Sequence, residues 1–335
     1  MRSLRARGGM IARRAIGEGS VAIQDGSEAG WVTGDHILDI EFDFAKNAIA
    51  DCLYIAMRVD VTKPPSDIVR SYQKMHEQAL LEKSGQEFLT RQQRREALDA
   101  AKNQADKEAK SGRYRRMHQY PMLWDLPRNQ VYFGATAPAV VDRFVILFKE
   151  TFGHTLTAAS SGEMASRFAG AARLTGAYDD LRPAQFTTPP DGADLDQGHA
   201  PGDEARSKDY LGVEWLMWVW YQSRHEDAAR DGGRDEALVR FEKTLQLDCP
   251  YKLTGSVSLR TDDPSHSPEA TAGLATGKLP IKAGLQMVHR GEAYACALRG
   301  DVMHFSGVLL PLLADPGNPR VVFEERTSKL RDFTD

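Results

Sequence analysis

Three cysteines in 335 residues, Cys52, Cys249 and Cys296, stand far apart and form no CxxC pair. An odd, scattered set excludes a disulfide framework and a cysteine-based zinc site. Cys52 and Cys296 lie inside apolar runs, where a thiol acts as a small core residue. Long apolar runs are also lacking. The longest, Val213 and then Trp215 to Tyr221, is too short to span a bilayer. The opening MRSLRARGGMIARR is basic but has no apolar stretch of the secretory kind. A cytosolic address with no membrane partner is the expectation by elimination. Positive charge is not in excess either: 43 Lys and Arg face 47 Asp and Glu, a net −4. Any nucleic-acid binding must therefore come from cations gathered in one place.

Enzyme signatures are equally scarce. AGLATGKL ends in Gly277-Lys278, but a phosphate-binding P-loop needs Gly where Ala272 stands and Ser or Thr where Leu279 stands. His225-Glu226-Asp227 has no second histidine four residues away, as a zinc-protease pair requires. There is no GxSxG turn for a serine nucleophile. A restriction-type nuclease places an acid after Pro and then Glu-x-Lys on a strand; here Pro190-Asp191 lies in a loop and Glu242-Lys243 are adjacent. No catalytic residue, cofactor or metal ligand is assigned.

What is present is a folded composition, 41% hydrophobic and 27% charged, which excludes disorder for most of the chain. IADCLYIAMRVD (49–60) reads as a buried strand ended by Lys63-Pro64-Pro65. Ser66 opens a helix to about Lys83, and a very polar helix follows from about Phe88 to Lys110. So polar a helix projects, lies on a surface, or pairs with its predecessor. Strands are expected at about 117–125 and 129–135 around Leu126-Pro127-Arg128-Asn129. Pro138 to Gly153 reads as an amphipathic helix and HTLTAAS as a further strand. Residues 183–208, rich in Pro, Gly and Asp, read as a surface loop. YLGVEWLMWVWYQSRHED is apolar all round and is expected as a central buried helix. Core packing is the better account of Trp215 and Trp218, and base stacking the alternative. Glu214 then needs a partner or a place near the helix start. Strands should fill 239–309 around one short helix begun by Ser267-Pro268-Glu269, and EERTSKLRDF should be helical.

The telling feature is the stretch from Arg91 to Arg116. It holds nine cations (Arg91, Arg94, Arg95, Lys102, Lys107, Lys110, Arg113, Arg115 and Arg116) against four acids. From Lys110 to His118 there is no acid at all, and Tyr114 and Tyr120 are interleaved. Cations neutralise phosphates and aromatics can stack or wedge. The alternative is a solvated helix laced with i,i+4 pairs such as Arg95–Asp99 and Lys102–Asp106.

Taken in order, these pieces resemble the bacterial recombination-associated RdgC family. The matching segments are Gly30-Trp31-Val32, CLYIAMRVD running into KPP, and the charged helix with RYRRMHQ. MLWDLPRNQVYFG leading to VVDRFVILFKETFG matches too, as do YLGVEWLMWVW and EATAGLATGK. The resemblance runs from about residue 20 to the end, although the family's aromatic-rich first strand has no counterpart in MRSLRARGGM. It implies an elongated α+β fold with mixed sheets and a projecting charged arm (about 66–110). Residues 1–182 would form an N-terminal region, 183–209 a flexible acidic loop, and 210–335 a C-terminal α+β region. It further implies a non-enzymatic, nucleoid-associated homodimeric ring that binds duplex DNA without sequence preference. Such a ring would restrain RecA indirectly through shared DNA. Arg113, Arg115 and Arg116 would contact DNA first, with Lys110, Lys107, Lys102, Arg95, Arg94 and Arg91 behind them. The rivals are a metal-dependent nuclease using acids of 183–209 and a protein-interaction scaffold.

Overall fold

A computed structural model describes the chain apart from residues 1–9, 18, 23–26, 50, 187, 194–207, 225–237, 314–316 and 335. His225-Glu226-Asp227 and most of the 183–209 loop therefore lie outside the described residues. The chain divides into two compact units, Met1–Leu156 and Thr157–Asp335. Residues 157–182, expected in the N-terminal region, belong to the second unit.

The first unit is a six-stranded sheet, β1 (Val21–Ala22), β2 (Ser27–Val32), β4 (Cys52–Val61), β5 (Arg116–Asp125) and β6 (Gln130–Phe133) in that order, with β3 (Ala48–Ile49) also on β4. A short helix α1 (Phe44–Asn47) precedes β3. All these pairings are antiparallel. The mixed sheets implied by the resemblance are thus corrected. Between β4 and β5 the chain makes two antiparallel helices, α2 (Ser66–Ser84) and α3 (Arg91–Lys110), and returns to the end it left. The next strand must therefore run backwards, and a parallel crossover does not arise.

Alternation along β4 and β5 makes two faces. On one, Leu53, Ile55, Met57, Met122 and Trp124 meet α4 (Pro138–Phe152) through Phe144, Leu147 and Phe148. Trp31, fully buried, donates its Nε1–H to Thr151 Oγ1 at 2.7 Å, so the largest core side chain has its one polar atom satisfied. The other face carries Arg58 and Asp60 beside Ala56.

The second unit starts with α5 (Ser161–Ala172) and α6 (Thr175–Asp180). The strand expected at 154–160 is not formed. Ser160 instead caps α5 by accepting from Glu163 N at 3.3 Å. A second antiparallel sheet follows, β11 (His304–Leu309), β10 (Glu292–Arg299), β9 (Leu279–His289), β7 (Leu238–Asp248) and β8 (Val257–Arg260) in that order. Helix α7 (Leu211–Arg224) packs on it, α8 (Pro268–Ala275) starts at the expected Ser267 cap, and α9 (Pro319–Thr334) ends the chain.

Helix α7 corrects the expectation of a helix buried all round. Leu216, Val219 and Trp220 face the sheet, whereas Trp215, Trp218 and Tyr221 are 36%, 51% and 58% exposed. Core packing therefore accounts for Trp220 and not for Trp215 or Trp218. Apolar character all round hid which three-to-four spaced stripe faces the sheet. Glu214 sits in the first turn and accepts from Ala184 N at 2.6 Å, which meets both of its requirements.

The start of α7 touches the turn after β10 without side chains between. A Cβ on Gly212 would lie 2.1 Å from the Gly300 carbonyl oxygen. Gly212→Ala should cost about 1–3 kcal/mol of stability, read as a lower urea midpoint with an unchanged m-value. An unchanged midpoint would show that the contact gives way freely.

Candidate nucleic-acid interface

Helix α3 starts later than its composition indicates, at Arg91, because Thr90 and Gln93 form a reciprocal capping box. Its four buried residues are Ala97, Ala101, Ala105 and Ala109, a stripe of methyl groups at four-residue spacing. The stripe faces α2, since Tyr72 Oη donates to Glu108 Oε1 at 2.7 Å and His76 bonds Gln104 at 3.1 Å. The polar helix is thus one half of a hairpin, and its charged side chains are exposed except Glu108, which turns toward α2. Gly112, at φ +87°, makes the left-handed step that ends the helix and sends the chain into β5.

Arg91, Arg94, Arg95, Lys102, Lys107 and Lys110 are exposed along α3. Among the described residues none of them has an ion-pair partner, and the anticipated Arg95–Asp99 and Lys102–Asp106 pairs do not form. Their charge is available.

The three arginines beyond the helix behave differently from one another. Arg113 Nη1 lies 3.2 Å from Glu108 Oε1, with 65% of its side chain exposed. Arg115 turns to the Arg58 face of the sheet, where its Nε donates to Asp60 Oδ2 at 2.9 Å and its Nη2 makes a second, short bond to the same oxygen. Arg116, the first residue of β5, pairs across from Val61 on the opposite face, in line with His118 and Tyr120. It is exposed and, among the described residues, has no partner. Arg115 and Arg116 point to opposite faces and cannot share one phosphate. Of the three arginines expected to contact DNA first, Arg115 is held by Asp60, Arg113 lies against Glu108, and Arg116 stands apart on the other face.

The stretch without acids in sequence is not without acids in space. Asp60 is 2% exposed and takes both ends of a fork from Arg58, at 2.7 and 2.8 Å, besides Arg115. Glu108 accepts from Tyr72, from Tyr114 through a short hydrogen bond, and from Arg113. The Tyr114 hydrogen bond first, then that of Tyr72 and the charge of Arg113, hold its carboxyl below the usual range. Tyr114 is correspondingly committed, and its phenol is raised by the Glu108 hydrogen bond. Tyr120 leans on Phe133, ring centroids 6.2 Å apart, and stacks with His118 at 6.5 Å. Neither tyrosine is a free wedge.

Asp60, Arg58, Glu108 and Tyr72 were missed by sequence reasoning. Arg58 and Asp60 were detectable, since i and i+2 on a strand share a face. Glu108 and Tyr72 lie 36 residues apart and meet only once the hairpin closes. No protein-family model matches the chain, and no curated protein matches it, so a functional reading rests on these residues and their geometry.

Proposed function

We propose that this chain is a non-enzymatic protein that binds duplex DNA without sequence preference and modulates homologous recombination in the manner of the RdgC family. The observation that carries the reading is the group of exposed cations Lys107, Lys110 and Arg116 at the base of the hairpin, without ion-pair partners among the described residues, with Arg113 near them in sequence. Phosphate neutralisation with counterion release is what such a group does best. In this reading α2 and α3 are a charged arm on an elongated subunit. Two subunits close a ring around DNA in the cytoplasm, at the nucleoid, and RecA is restrained through the shared DNA.

Fluorescence anisotropy with two labelled duplexes of unrelated sequence, at about 50 mM salt, tests this. Both should bind with similar affinity, and supercoiled plasmid kept with the protein and Mg²⁺ or Mn²⁺ should stay intact. No binding at low salt would overturn DNA as the partner, and nicking would overturn the non-enzymatic part.

A further inference from the structure

Two acids stand against the basic cluster, and their settings differ. Asp60 is buried and its removal would strand Arg58, so it belongs to the fold. Glu108 is only part-buried, yet it is fixed in place by the hydroxyls of Tyr72 and Tyr114 before any cation is considered. Two phenol donors keep it charged and aimed at the turn. The cation it meets there is Arg113, whose guanidinium is held at 3.2 Å while most of the side chain remains in solvent. An ordinary surface pair joins two mobile side chains; here the acid is rigid and the arginine is not.

We propose that Glu108 is a built-in competitor for the DNA phosphate at the hairpin base. It occupies Arg113 when DNA is absent and must be displaced for Arg113 to join the contact. The proposal rests on the DNA-binding reading above and concerns regulation of that same site. Exchange costs little because the Arg113 side of the pair is largely in solvent, so the device trims affinity without abolishing it. It also keeps one cation from seizing any passing anion, since a phosphate must outbid a fixed carboxylate at close range.

Glu108→Gln tests it, because the amide oxygen can accept from one tyrosine and the amide N–H can donate to the phenol oxygen of the other while the charge is gone. Duplex binding by E108Q should tighten about two- to fivefold at low salt. The slope of log K against log salt should steepen by about 0.9, one more phosphate being neutralised. In an R113A background the same substitution should do neither. R113A alone should weaken wild-type binding less than it weakens E108Q binding, a comparison that survives if one variant lowers hairpin stability. Helical circular dichroism verifies that each variant keeps its fold. If wild type binds DNA but E108Q is no tighter, the competitor role is overturned and DNA binding stands. Equal tightening with and without Arg113 overturns it too, leaving simple repulsion by Glu108. If wild type does not bind, it is the functional reading that fails.

Discussion

Asp60→Ala should destabilise the first unit by about 3–5 kcal/mol, the range found when one partner of a buried ion pair is removed. Arg58 has only 7% of its side chain exposed, and its fork is filled by the two oxygens of Asp60 with Ile37 O at 3.1 Å as its remaining contact. Without the carboxylate a guanidinium stays buried without the counter-charge of its fork. Desolvation is the larger effect, not the lost attraction. Arg115→Ala is the control. It leaves the Arg58–Asp60 pair whole and removes a side chain that is 39% exposed, so about 1 kcal/mol or less is expected. Urea unfolding of both variants decides the matter. If Asp60→Ala costs no more than Arg115→Ala, the fan of arginines is decoration.

The second large effect concerns DNA. Six to eight phosphate contacts per subunit give a log–log salt slope of about −5 to −7, and a fall in affinity on the order of 10³–10⁴ between about 50 and 200 mM salt. Changing Lys107, Lys110 and Arg116 together to Ala should flatten that slope by about 2.7. It should weaken binding by about thirty- to a hundredfold, taking each contact as roughly 0.7–0.9 kcal/mol. All duplex sequences should suffer alike. Arg115→Ala should barely alter binding, since that guanidinium is already spent on Asp60. Anisotropy titrations across salt would sink the assignment if Arg115→Ala alone matched the triple variant, or if one sequence were selectively spared.

Much of this was legible in the residues. The run CLYIAMRVD gave a strand because β-branched and apolar residues without breakers fit nothing else. Pro138 and Gly153 bracketed a helix found at Pro138–Phe152 with Gly153 in the left-handed stop position, and Ser267 marked the start of α8 as expected. Alanines every four residues could have told that α3 had a narrow inner side. Other features depended on the third dimension. HTLTAAS has the composition of a strand but pairs with no strand among the described residues. Trp215 and Trp218 fall on the outward stripe of α7 because Leu216, Val219 and Trp220 complete the inward one, which periodicity among all-apolar residues does not rank. At the candidate site the nine cations were visible, but their division was not. Which arginine is held was settled by Asp60, 55 positions from Arg115, and by Glu108, whose two tyrosines come from α2 and from the turn after α3.

The alanine stripe separates two properties that usually constrain each other. Four methyl groups are all that α3 buries, and α2 has no fully buried side chain. Exposed positions around them can gain or lose charge without disturbing the packing of the sheet and α4. The hairpin's electrical character is thus independently adjustable, and the strength of its hold on a polyanion can drift while the architecture beneath it stays fixed.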